Sequence, residues 1–282
     1  MVKRVALLLA VIAVSACNKL DLKNFFFPLS TDVNTRVQES LEWTRAHYPI
    51  TVEAPSEEYR FYVCSDIHVE ENRPERFLSM VKTEAADPKS LFYQMLGDML
   101  FGRDHMDYVS DIVNNPSYGP GFVIAGNHDL FYGNWPAWRE AFHTSTYYYF
   151  VSTPSSKDLF IMLDSANGTL GEIQKQWLED LLSKEREGCR HCFVSVHTNI
   201  LKTDSTQFPS TNFTLDETWF LLDLMTRNRV DVMFAGHDHY RDDTAFNGVR
   251  YITLDDIKDN TSHASYVTVD VGDGVSIEYN PL

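Results

Sequence analysis

Phe122-Val123-Ile124-Ala125-Gly126-Asn127-His128-Asp129 is the stretch on which the reading of this chain turns. Four apolar residues, the length of a short buried strand, stop at a glycine and three polar side chains. The same pattern recurs on both sides. Upstream, Phe61–Cys64 runs into Ser65-Asp66 and Leu91–Leu96 into Gly97-Asp98. Downstream, Leu159–Leu163 precedes Asp164, Phe193–Val196 precedes His197, and Val230–Ala235 precedes Gly236-His237. Between most of these runs lie helix-like stretches at 74–82, 104–114, 171–187 and 215–228. Strands alternating with helices predict an α/β fold. After Arg250 the pattern changes to short strands with turns, Tyr251–Leu254, Tyr266–Val271 and Val275–Tyr279. No internal repeat is present, so one catalytic domain is expected.

In open α/β sheets ligands bind beyond the carboxyl ends of the strands. Here those ends carry Asp66, Asp98, Asn127, His197 and His237, with His68 and His239 each two residues further on from a partner. In extended backbone a spacing of two puts both side chains on one side. Five strand ends could thus aim seven metal-ligand types at one place. A lone histidine on a strand is usually a satisfied structural residue, and it is the convergence that points to a metal. Carboxylate and imidazole donors suit Mn, Fe or Zn, whereas soft-metal selection calls for thiolates.

Asp66-x-His68, Gly97-Asp98, Gly126-Asn127-His128-Asp129, His197 and Gly236-His237-x-His239 together resemble the signature of calcineurin-like metallophosphoesterases, in order, over about residues 61–240. Leu163-Asp164-Ser165 followed by Gln176-Trp177-Leu178 adds to the likeness. The resemblance implies a four-layer α/β/β/α sandwich with mixed sheets and the site at one edge. It implies two metal ions, Mn, Fe or Zn: Asp66, His68 and His239 on the first, Asn127, His197 and His237 on the second, and Asp98 bridging. The implied reaction is hydrolysis of a phosphate mono- or diester by a metal-bound hydroxide, with no covalent intermediate on the protein. His128, next to Asn127, is the expected non-ligand catalyst, and Asp129 reads as a turn or cap residue or as a partner of His128. Two features depart from relatives. Phe101 stands where protein serine/threonine phosphatases carry an Asp that orients the catalytic His, leaving Asp104 or Asp129 for that role. Phe101 together with His68 also argues against a tyrosinate-bound purple enzyme. A non-catalytic envelope protein binding a phosphorylated ligand on the same fold is the alternative.

The N-terminus reads as a targeting segment. Lys3 and Arg4 precede the apolar run Val5–Val14, too short to span a bilayer. Val14-Ser15-Ala16-Cys17 resembles the bacterial lipobox, which predicts a signal peptide at 1–16, lipidation of Cys17 and anchoring to a membrane of the cell envelope. An ordinary secretory signal with an incidental Cys17 would also export the chain. Residues 17–55 are expected to form a tether and an amphipathic helix over 30–47 capped by Asp32, with Pro49 and Pro55 breaking regular structure, and 56–282 the phosphoesterase domain.

The formal charge of −16 argues against duplex nucleic acid as partner and leaves a small phosphorylated substrate, which an acidic protein can hold only through bound cations. With 282 residues, 44% of them apolar, the chain can bury a sizeable core. Cys64, Cys189 and Cys192 are too few for a disulfide framework, and Cys189-x-x-Cys192 without a second pair is a weak zinc or redox signal. Residues 131–150 hold nine aromatics, read as a helix and a hairpin pairing Tyr147–Val151 with Leu159–Leu163, or else as a stacking surface. Arg103 is a further candidate for phosphate contact, or a plain surface residue.

Overall fold

The computed structural model describes residues 31–68, 75–99, 103–202 and 209–282, with backbone only at 103–105. The signal and lipidation sites at 1–17, Phe101, and the side chains of Arg103 and Asp104 lie outside the described residues.

Among the described residues, twelve strands form two sheets. The first five strands are β1 (Ile50–Glu53), β2 (Tyr59–Cys64), β3 (Ser90–Met95), β4 (Gly121–Val123) and β5 (Tyr147–Ser152). Next come β6 (Lys157–Met162), β7 (Cys192–Thr198) and β8 (Val232–Gly236). The last four are β9 (Asp242–Phe246), β10 (Val249–Thr253), β11 (Ser265–Val271) and β12 (Val275–Pro281). One sheet runs β1-β5-β6-β7-β8-β10-β9 and the other β12-β11-β2-β3-β4. Both are mixed. β2, β3 and β4 are parallel to one another, as are β6, β7 and β8, while β11 and β5 run antiparallel to their neighbours β2 and β6.

The two sheets face each other across an aromatic layer that includes Phe61, Phe92, Phe122, Tyr149, Phe160, Phe193 and Phe234. Phe61 stacks on Phe92 with centroids 5.0 Å apart, and Phe122 on Tyr149 at 3.7 Å. Each buried phenyl ring contributes roughly 1.5–3 kcal/mol, so this layer is what holds the sheets face to face. One polar chain crosses it: Ser195 Oγ donates to Gln94 Oε1 and Gln94 Nε2 donates to the Tyr149 hydroxyl, both at 2.7 Å, so that none of the three is left unpaired.

Helices cover the outer faces. α2 (Glu75–Ala85), α3 (Arg103–Val113) and α5 (Trp135–Phe142) pack on the five-stranded sheet, and α6 (Gly171–Glu185) and α7 (Leu215–Arg227) on the seven-stranded one. A one-turn helix α4 (Asn127–Leu130) follows β4. The result is the expected α/β/β/α sandwich.

α1 (Val33–His47) begins at Asp32, whose carboxylate accepts from the Thr35 amide at 3.1 Å, as its capping position predicts. Its apolar residues Val33, Val37 and Leu41 pack with Trp177 of α6. Its polar inner face is tied down as well. Arg36 Nε and Nη2 donate to Asp164 Oδ2 and Oδ1 at 2.9 and 2.8 Å, both side chains fully buried. The Ser145 amide donates to Ser40 Oγ, and Thr44 Oγ1 to the Thr146 carbonyl. The helix therefore docks against α6 and β5.

Two short strands go beyond the sequence reading, and the aromatic segment follows the helix-and-hairpin reading. A four-residue strand, β1, forms between Pro49 and Pro55 and pairs parallel with β5, where two prolines suggested only a break. Asp242–Phe246 is an edge strand, β9, although it opens with two aspartates. The aromatics at 131–150 are mostly core: Phe131, Trp135, Trp138, Phe142, Tyr147 and Tyr149 are buried, and Tyr147–Ser152 pairs with Lys157–Met162 as a hairpin. Tyr132 alone among them is widely exposed, at 65%.

Candidate metal centre

Because β2, β3, β4, β7 and β8 all end at one edge of the sandwich, the residues after them meet at the seam between the sheets. Asp66, His68, Asp98 and Asn127 come from the five-stranded side, and His197, His237 and His239 from the seven-stranded side. Their side chains form two groups sharing Asp98: Asp66, His68, Asp98 and His239, and Asp98, His197 and His237. Within the first, His239 Nε2 lies 3.1 Å from Asp66 Oδ1 and 3.0 Å from His68 Nε2. In the second, Asn127 Oδ1 is 3.0 Å from both His197 Nε2 and His237 Nδ1. Asp98 Oδ2 stands between the groups, 3.6 Å from His68 Nε2 and 3.5 Å from His197 Nε2. All seven predicted ligands are thus brought together, in the partition the resemblance implies. Among the described residues, neither cysteine of Cys189-x-x-Cys192 joins such a group, and both are buried free thiols.

Asp66/His68 and His237/His239 do not reach the site by strand alternation, as their spacing of two suggested. Asp66, His68, Asp98, His237 and His239 all have positive φ, between 44° and 72°. They are not in extended backbone; left-handed turns, not strand alternation, turn these side chains inward. Non-glycine residues in this region cost of order 1 kcal/mol or more each and persist where surrounding contacts impose them. Those contacts are visible. Asp129 Oδ2 accepts from the amides of Gly126 and Asp98, and its Oδ1 from that of Met99, clamping the β3 and β4 ends together. The His237 amide donates to Asp66 Oδ2 at 2.9 Å and the His128 amide to Asp98 Oδ1 at 2.8 Å. Asp129 is therefore a backbone clamp. Gly97 and Gly236 allow the approach: a Cβ on Gly97 would overlap the backbone of Gly126, and one on Gly236 would overlap Ser65 Oγ.

His197 sits where the register of β7 against β8 shifts, between Ser195 and Thr198, an irregularity that re-aims a side chain. Ser165 Oγ accepts from the His197 and Thr198 amides at 2.9 Å each. His197 Nδ1 donates to the Leu96 carbonyl at 2.6 Å, which leaves its Nε2 to face Asn127 and Asp98. Burial opposes charge on both Asp98 and His197, yet their attraction wins. Asp98 is held down at about 2, mainly by the charge of His197, and His197 is pushed up to about 10 by Asp98. Burial alone would raise Asp66, but hydrogen bonds from His239 and His68 hold its carboxyl well below the usual range.

Two pairs of imidazole nitrogens pointing at one another, beside two buried carboxylates, satisfy each other poorly as a hydrogen-bonded set. They are well arranged as donors around cations, so the residues fit a metal centre of the carboxylate–imidazole kind. His128 stands at its rim. Its Nε2 is 3.9 Å from Asp98 Oδ2, its ring packs edge-on to His68 at 4.6 Å, and its side chain keeps 17% exposure.

The fold and these residues define a metallophosphoesterase-type protein. A family model described as calcineurin-like phosphoesterase matches residues 59–241, well over half of the chain, and the chain belongs to that family. No curated protein matches its sequence significantly. Among solved structures, it is similar to GAP50, described as the anchor in the inner membrane complex of Plasmodium. The TM-score is 0.60 at 16% identity, over 79% of this chain and 84% of that one. Purple acid phosphatase PPD1 from yellow lupin gives 0.58 at 14% identity, over 81% and 52%. A putative 5'-nucleotidase from Staphylococcus aureus gives 0.56 at 13% identity, over 79% and 54%. The chain spans about half the length of the last two. At such identities these likenesses are of fold alone.

The sequence reading missed Asp256, Lys258 and His263, which follow β10 and surround His239, and Arg36, which braces Asp164 from α1. Only the last was in principle within reach, since an arginine on the apolar face of a predicted helix asks for a buried partner.

Proposed function

We propose that this protein is a phosphoesterase that hydrolyses phosphate mono- or diesters at a centre of two metal ions, Mn, Fe or Zn. The observation that carries the reading is the sharing of Asp98 between two converging ligand groups, with Asn127 completing the second. Asp66, His68 and His239 would hold one ion and Asn127, His197 and His237 the other. Bound there, the ions would supply Lewis-acid stabilisation of the phosphoryl oxygens and acidify a water. The protein does the rest. The Asp129 clamp and the Ser165 hydroxyl hold the ligand backbone in place before substrate arrives. His128 at the rim stabilises charge on the phosphate or protonates the leaving oxygen. A complete ligand set gives no support to a non-catalytic ligand-binding role. The lipobox-like segment supports export and anchoring through Cys17 in a bacterial envelope, and Cys17→Ser should then move the protein from the membrane to the soluble fraction.

The test is turnover of chromogenic monoester and diester substrates with added Mn, with and without chelator, for the unmodified protein and His128→Ala. The unmodified protein should turn over and lose activity with chelator. His128→Ala should lose about 100-fold or more in kcat while keeping its metals. Turnover that survives complete removal of metal would overturn the proposal.

A further inference from the structure

Beyond β10 the chain passes back under the centre and places Asp256, Lys258 and His263 around the outer nitrogen of one ligand. His239 presents Nε2 to Asp66 and His68, so Nδ1 is its outward atom. Lys258 Nζ lies 3.0 Å from that Nδ1, and Asp256 Oδ2 lies 3.7 Å from it. Asp256 is only 4% exposed, and its Oδ1 makes no hydrogen bond. The groups that face its carboxylate are Lys258 Nζ at 3.5 Å, His239 Nδ1 and His263 Nε2 at 4.0 Å. His263 Nε2 is nearer to the His239 carbonyl, at 3.3 Å.

An ammonium has only donors, so the Lys258–His239 contact requires a lone pair on Nδ1. The proton of a neutral His239 is then on Nε2, where it points at Asp66. That tautomer cannot give Nε2 to a metal. His197 shows the opposite arrangement, with Nδ1–H spent on the Leu96 carbonyl and Nε2 facing the site. For His239 to become a ligand its proton must reside on Nδ1, and an Nδ1–H next to an ammonium is two donors head to head. The acceptor that such an Nδ1–H needs is Asp256.

We infer that Asp256 and Lys258 compete for the outer nitrogen of His239 and so set its readiness to bind metal. Lys258 holds the ring in the tautomer closed to metal; Asp256 is the positioning residue that holds it in the open one. Carboxylates placed in this way behind a ligating histidine typically change metal affinity 10–100-fold. With the Nδ1–H of His239 turned to Asp256, the Lys258 ammonium would have to leave Nδ1, whereas the outer nitrogen of His197 already donates to the Leu96 carbonyl. The inference rests on the proposed metal centre, but its first readout needs no metal.

The experiment uses the chain with 15N-labelled histidine, unmodified and as Lys258→Met and Asp256→Asn. In the metal-free unmodified protein, long-range 1H–15N spectra should show His239 protonated on Nε2, and Lys258→Met should shift the proton to Nδ1. Zn titrations followed by calorimetry should then give about 10–100-fold weaker binding at one of two sites for Asp256→Asn, and equal or tighter binding for Lys258→Met. Lys258, part-exposed on its loop, can be replaced without threatening the fold. Identical tautomers in the unmodified protein and Lys258→Met, or loss of affinity in both variants, would overturn the inference. Absence of any Zn binding by the unmodified protein would instead sink the metal centre, with the tautomer result still deciding the role of Lys258.

Discussion

Replacing Arg36 by alanine tests how far the N-terminal helix belongs to the two-sheet body. Arg36 and Asp164 are both fully buried and joined by two parallel hydrogen bonds. Among the described residues, the only other donor to the Asp164 carboxylate is the Ala166 amide at 3.3 Å. Arg36→Ala would leave a buried carboxylate with that single weak partner and a cavity where the guanidinium was. Breaking a buried pair from one side costs about 3–5 kcal/mol, whereas replacing both partners with apolar residues is close to neutral. For a domain of this size each kcal/mol moves Tm by about 2–4 °C, so Arg36→Ala should lower it by roughly 10 °C. Arg36→Met with Asp164→Leu should recover most of that loss, giving a coupling energy above about 2 kcal/mol in a double-mutant cycle. The effect should reach the site, because Asp164 precedes Ser165, whose hydroxyl holds the His197 amide. Urea denaturation of Arg36→Ala, and of the unmodified protein, Arg36→Met, Asp164→Leu and the double variant, measures the cost and the cycle. A cost below about 1 kcal/mol for Arg36→Ala, or additive single effects, would refute the reasoning.

Three further outcomes are expected. Gly97→Ala puts a Cβ into the backbone of Gly126 at a φ of +89°, and should cost about 2–4 kcal/mol by thermal denaturation while lowering metal occupancy. His191→Gln should show a pH-dependent cost. The imidazole donates to Asp231 Oδ1 at 2.9 Å, which raises its pKa above 6.5, and its other nitrogen faces the Gly272 carbonyl. A raised folded-state pKa gives stability that is complete below about 6.5 and fades as pH rises through the folded value, so the stability gap between the two proteins should be widest near pH 5–6 and shrink on the alkaline side. Tyr149→Phe removes the acceptor that Gln94 Nε2 uses in the aromatic layer; an unsatisfied buried amide should cost about 1–3 kcal/mol, read from the denaturation midpoint.

The α/β class was legible because strands buried along their length read as apolar runs, Phe61–Cys64 and Leu159–Leu163 among them, whereas the two-sheet sandwich came only with the family resemblance. The helix over 33–47 was legible from its cap. What escaped reading has no periodic signature. β9 is an edge strand of alternating exposure, so nothing apolar marks it, and β1 is a short strand exposed along most of its length. The ligand positions were legible as residue types at strand ends. Their left-handed backbone was not, because positive φ at Asp66, His68, Asp98, His237 and His239 is imposed by contacts such as Asp129 with the Asp98 amide, from distant parts of the chain. Arg36 with Asp164, 128 positions apart, and Lys258 with His239 are pairings that only the folded chain creates.

Asp98 is shared by both ligand groups, so the central claim is tested most directly by counting metal in the purified protein and in Asp98→Asn. The unmodified protein should hold about two ions per chain. Asp98→Asn should lose at least one of them and lower turnover by more than about 100-fold. Fewer than one ion per chain in the unmodified protein, with no turnover after addition of Mn, Fe or Zn, would contradict that claim.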